Sequence, residues 1–168
     1  MLADDQRPDK PKTAPETETA LAFLDWQRAT LVAKLAGLSK EDATKRLVPS
    51  LTTILGIVKH LAQVEAWWFQ DVFLGREIEY PWTDDDPDAD FRIEPDETVE
   101  SIVELYESKV GASRAAVAGF SLDQLSVREV RDTRRSLRWI VLHMIEETAR
   151  HVGQVDILRE LTDGATGE

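Results

Sequence analysis

No cysteine occurs in this chain, which excludes a disulfide framework, a CxxC zinc or redox motif and a cysteine nucleophile. No run of eighteen uncharged apolar residues occurs either, so a membrane-spanning helix is excluded. Positive charge is scarce. Lys and Arg number 20 against 32 Asp and Glu, a formal charge of −12 that repels nucleic acid and anionic lipid surfaces. The first fifteen residues lack the apolar segment of a signal peptide, and a cytoplasmic location is expected on that ground. GxGxxG, GxSxG, HExxH and Walker A sequences are missing too. What remains is an acidic chain of 168 residues, 42 % apolar, which suits one domain with one packed core.

Residues 1–15 are polar, hold three prolines and read as a disordered leader. Four helical patterns follow, with no convincing strand. The first runs from about Glu16 to Gly37, with Leu21, Leu24, Leu31, Val32 and Leu35 on one stripe. Ser39 to Pro49 is a connection with room for one helical turn. The second pattern starts near Ser50, taken as its cap, and ends near Gly75. Ile54, Ile57, Val58, Leu61, Val64, Trp68 and Val72 form its apolar face. The third runs from Thr98 through Phe120. The fourth is capped by Ser136 and ends at Asp163, before Gly164. Four amphipathic helices of roughly 20 residues predict an all-α four-helix bundle over 16–163, with a short tail at 164–168. The connection from Ile78 to Glu97 is long enough for a crossover between helices that are not antiparallel neighbours, and long loops of this kind also serve as lids.

The histidines are His60, His143 and His151. On a wheel at about 100° per residue, Ile140, Met144, Glu147, His151, Val155 and Leu158 share one face. A carboxylate on an apolar stripe needs a partner, because alone it costs several kcal/mol or takes up a proton. His151 lies one turn on, so both side chains converge beside the helix. Such a pair supplies two metal ligands, with a third from a facing helix, for which His60 is the candidate. Spacing equally fits a Glu–His pair that binds nothing, and the residues alone leave both open. His143, one turn before Glu147, is a candidate ligand, an orienting partner or a packing residue.

Arg28 and Glu65 are charges placed within apolar stripes, and the simplest account pairs them across the interface. The alternative makes Arg28 a grip for an anionic substrate. Asp86, Asp88, Asp90 and Glu97 fit positions of an EF-hand loop, but Phe91 stands where that loop needs glycine, so a solvated acidic loop is expected. Trp67, Trp68, Trp82 and Trp139 read as core or lid residues.

The segments ILGIVKHLAQVEAWWF (Ile54 to Phe69) and LRWIVLHMIEETARHVGQVDILRE (Leu137 to Glu160) together resemble the DinB/YfiT-like superfamily. More narrowly they resemble its DUF664 branch, which includes mycothiol-dependent S-transferases. The resemblance implies a DinB-like bundle with a long crossover loop and a divalent metal, zinc or a relative such as nickel. It implies His60, Glu147 and His151 as the metal ligands. Histidine is common in the superfamily at the position of Glu147, but a His, Glu, His set occurs in the related mycothiol-dependent maleylpyruvate isomerase.

The expected function is thus a metal-dependent thiol S-transferase. It would use a low-molecular-weight thiol, mycothiol or bacillithiol, and a small electrophilic substrate. His143 would orient Glu147, and Arg28, Trp82 and Arg159 are pocket candidates for the thiol cofactor. Neither nucleic acid nor membrane is an expected partner, and the chain is expected as a monomer or homodimer. The alternatives are a hydrolase using metal-bound water and a non-catalytic ligand-binding bundle.

Overall fold

Three of the four long helices begin at a hydroxyl side chain that accepts from the backbone of the first turn. The structure, a computed structural model, describes residues 7–166. Helix α1 spans Glu16–Ala33, and a single turn, α2, spans Lys40–Ala43. Thr53, not Ser50, caps α3 (Ile54–Glu65), which continues as a π-helix over Ala66–Phe73. Thr98 and Ser101 cap each other reciprocally at the start of α4 (Val99–Val117). Ser136 caps α5 (Leu137–Asp163), and Gly164, at φ 76°, closes it. Among the described residues, no helix is long and apolar enough to cross a membrane.

Contacts along the helices fix their directions. Arg138 meets Glu16 at the start of α5 and α1, and Arg159 meets the Lys34 carbonyl near their ends, so these two run parallel. Lys59 pairs with Glu97 where α4 begins, and Ser113 donates to the Glu65 carbonyl further on, so α3 and α4 are parallel too. His60 faces His151 while Trp68 faces Trp139, which sets α3 antiparallel to α5. This is the expected four-helix bundle with a crossover. The 74–98 connection returns along the bundle, with a 3-10 turn at Ala89–Phe91 lying against α3.

A two-stranded hairpin, β1 (Leu125–Glu129) with β2 (Arg134–Ser136), was not expected from the sequence. Its apolar residues point the wrong way for a strand signal. Leu125 and Val127 are exposed and Ser126 is buried, donating to the Arg128 carbonyl and accepting from Arg135 N. The turn also lacks glycine, since Arg131 and Asp132 take the positive φ values themselves. Lys10 and Arg7 of the expected leader lie over the Trp26 ring, whereas its residues 1–6, and 167–168 of the expected tail, fall outside the described residues.

The core falls into two clusters. One holds Leu31, Leu35, Ile57, Leu61, Tyr106 and Val155; the other holds Leu24, Trp68, Phe69, Ile140 and Met144. Between Leu24 and Leu31, and between Leu61 and Trp68, sits the buried pair of Arg28 and Glu65. The guanidinium donates Nε and Nη2 to the two carboxylate oxygens, both at 2.7 Å, and Nη1 to Asp25 at 2.8 Å. Burial alone would discharge Arg28, but the Glu65 carboxylate outweighs it and holds the cation. Removing one partner leaves the other charge buried and alone. Glu65→Ala is therefore expected to cost about 3–5 kcal/mol in urea unfolding, and the double variant Arg28→Met/Glu65→Leu to recover most of that loss. A double variant no more stable than Glu65→Ala would contradict the account.

Candidate metal centre

His60 sits on the second turn of α3, and Glu147 and His151 stand one turn apart on α5. Because α3 and α5 are antiparallel, the three side chains meet between them. Glu147 Oε1 lies 3.2 Å from His151 Nε2 and 3.8 Å from His60 Nε2. One ligand atom from each residue falls within 4.8 Å of the others, and these three form the only such group of His, Asp and Glu among the described residues. All three are half-buried. The wheel put Glu147 and His151 within the apolar stripe; the buried line of α5 actually runs through Met144, Thr148, Val152 and Val155, leaving the pair on its border. A border position suits a ligand set, which needs a dry flank and an open side.

The outer nitrogens of both rings are already engaged. His60 Nδ1 is 2.7 Å from Asp90 Oδ2, and His151 Nδ1 is 2.7 Å from Gln154 Oε1. The Asp90 carboxylate can only accept, so His60 carries a hydrogen on Nδ1. In a neutral His60 ring, Nε2 then holds a lone pair and faces the Glu147 carboxylate, which can only accept. Nε2 of both rings and the Glu147 carboxylate thus converge between α3 and α5, a set that could hold a cation. The donor set, two imidazoles and one carboxylate, fits zinc or a related divalent ion. Without such an ion, a proton does the same work. The hydrogen bond from His151, and then the nearby His60 ring, hold Glu147 far below its usual value, against burial. Burial would discharge His60, but Asp90 and Glu147 together outweigh it and raise its pKa above 6.5.

Sequence reasoning missed Asp90 in this role. It lies 30 residues from His60 on an irregular connection, where no periodicity marks it, and the expected solvated acidic loop instead buries it. Three of the four acidic residues of that pattern go to separate partners: Asp86 to Arg92, Asp90 to His60 and Glu97 to Lys59. His143 packs between Trp139, stacked at 5.0 Å, and Trp68, edge-on at 4.9 Å, while Glu147 bonds to His151 and faces His60. The pocket candidates lie apart from one another. Arg28 is in the core pair, Trp82 stacks on Tyr80 at 4.4 Å, and Arg159 binds the Lys34 and Ala36 carbonyls and Asp163. A cavity of about 590 Å3 is lined by Leu21, Asp25, Arg28, Phe69, Arg114 and Phe120, and by none of the three clustered residues.

A family model described as MST, mycothiol S-transferase, matches residues 19–164, which include every residue of the cluster. The chain belongs to the mycothiol S-transferase family. None of the curated proteins matches it significantly. Among solved structures, this family member is similar to the crystal structure of a conserved protein of a locus from Enterococcus faecalis. The TM-score is 0.65 at 14 % identity, covering 91 % of this chain and 100 % of that one, a likeness that shows the fold.

The two shifts give the metal-free protein a defined pH response. Glu147 is depressed, so its stabilisation is complete above the ordinary value of 4.5 and is lost only as pH falls through the lower folded value. His60 is raised, so its stabilisation is complete below 6.5 and is lost as pH rises through the higher folded value. Urea unfolding of the metal-free protein and of Glu147→Gln should differ most between pH 4.5 and 6.5, with the gap narrowing on the alkaline side. A gap that does not change with pH would contradict the coupling.

Proposed function

We propose that this protein is a metal-dependent thiol S-transferase that joins a low-molecular-weight thiol, mycothiol or bacillithiol, to a small electrophilic substrate. One observation carries the reading: Nε2 of His60, Nε2 of His151 and Glu147 Oε1 converge between α3 and α5, with Nδ1 of each ring engaged by another partner. Family membership supports the class of reaction and of thiol. His60, Glu147 and His151 would hold the ion, and three ligands leave further positions for an incoming group. A divalent ion there, zinc, nickel or a similar one, supplies Lewis acidity that favours a thiolate near neutral pH. The chain has no thiol of its own, so the attacking sulfur belongs to the co-substrate. Transfer forms a sulfur–carbon bond, and the electron pair passes to the leaving group or into an unsaturated acceptor. Glu147, held ionised, contributes charge and not a proton to this site. Val152 and Val155 of α5 and Val58 and Leu61 of α3, neighbours in sequence of the histidines, belong to the buried core.

Elemental analysis of the untagged protein tests this reading, together with turnover of mycothiol and an electrophile such as a chloro- or nitro-aromatic. About one divalent ion per chain is expected, absent from His151→Ala, with turnover lost on chelation and restored by the ion. Failure to retain or take up any divalent ion would contradict the metal centre, and turnover without thiol would favour metal-bound water as nucleophile.

A further inference from the structure

We propose that Asp90 is the positioning residue for His60, so that the 74–98 connection is a working part of the metal centre. The inference rests on the metal reading above and goes beyond it, because Asp90 is not among the ligands. Its carboxylate, 4 % exposed, lies 2.7 Å from His60 Nδ1. A carboxylate at that depth needs a compensating donor, and the imidazole N–H is the one in contact with it. An acceptor there fixes the ring as the Nδ1–H tautomer and turns Nε2 toward Glu147. It also makes the ring a stronger donor to a cation, as a carboxylate behind a metal-bound imidazole does.

The turn that carries Asp90 is clamped independently of that bond. Phe91 stacks on the His60 ring at 4.3 Å and 17°, on one face, while Asp90 holds the edge. The Phe91 carbonyl passes so near α3 that a Cβ on Gly56 would stand 2.6 Å from it, which makes glycine necessary there. One turn along, Lys59 Nζ donates to the Arg92 carbonyl at 2.7 Å and to Glu97 at 2.9 Å. Removing the Asp90 carboxylate therefore leaves the connection docked and frees only the imidazole. The two histidines are also unequal. His151 leans on Gln154, a neutral amide of its own helix, whereas His60 leans on an anion from a distant segment.

The test is the zinc dissociation constant, by competition with a chromophoric chelator, for the native protein, Asp90→Ala, Asp90→Asn and Gln154→Ala. Nitrogen chemical shifts of the metal-free His60 ring at alkaline pH are read beside it. Asp90→Ala is expected to weaken zinc roughly 10- to 100-fold. Asp90→Asn keeps an acceptor oxygen without the charge and should fall between it and the native protein, and Gln154→Ala should cost less than Asp90→Ala. The native ring should report a single Nδ1–H tautomer, which Asp90→Ala converts to a mixture; a residue that merely ties down the connection would not move that signature. Zinc bound as tightly by Asp90→Ala as by the native protein, with an unchanged tautomer, would overturn the role of Asp90 and leave the metal centre standing. If Asp90→Ala does not fold, Asp90→Asn decides, and native affinity in it would overturn the importance of the charge. Absence of zinc binding in the native protein would overturn the metal reading and this inference with it.

Discussion

The parallel course of α3 and α4 is the constraint from which the site follows. Two parallel neighbours cannot be joined by a short turn, because the chain must first travel back along the bundle. For α4, 19 residues long, that return is about 28 Å at a rise of ~1.5 Å per residue. The 74–98 connection makes it, and in passing α3 it delivers Asp90 and Phe91 to His60 and Glu97 to Lys59. An antiparallel neighbour joined by a tight loop would leave the outer edge of His60 open to solvent. The crossover thus encloses His60 from behind while Glu147 and His151 approach from α5.

The buried ion pair sets the interior in register in a second way. Arg28 and Glu65 interrupt the core one turn beyond His60 along α3, with Leu61 on one side of the pair and Trp68 on the other. Each charge satisfies the other, so α1 and α3 have one low-energy alignment, and slippage by a turn would strand both in apolar surroundings. The π-helix begins at the next residue, Ala66, and there the Glu65 carbonyl takes a hydrogen bond from Ser113 of α4. Glu65 therefore ties α1 and α4 to α3, through its carboxylate to Arg28 and its carbonyl to Ser113.

Much of this was legible in the sequence, for physical reasons that can be named. The capping serine and the closing glycine of α5 are local signals, and Ser136 and Gly164 bound the helix as read. The α3 stripe is fully buried, as its spacing implied. Glu147 and His151 drew notice because a turn of helix brings them together whatever the rest of the chain does. The pairing of Arg28 with Glu65 followed from the cost of leaving either alone. What was not legible depends on tertiary context. The hairpin hides because Ser126 points inward with its hydroxyl satisfied while Leu125 and Val127 point outward. Asp90 hides because an irregular segment has no period, and only the path of the crossover brings it to His60. The cap of α3 moved from Ser50 to Thr53 because two hydroxyl residues compete for the role and the backbone bends between them.

The central proposal is that His60, Glu147 and His151 together hold one divalent cation. Anomalous scattering from crystals of the protein grown with zinc, recorded on both sides of the zinc edge, tests it most directly. The account predicts one strong peak bonded to Nε2 of His60, Nε2 of His151 and an oxygen of Glu147, at about 2.0–2.2 Å from each. A map without a peak between α3 and α5, or with zinc bound through Nδ1 of either ring, would contradict it.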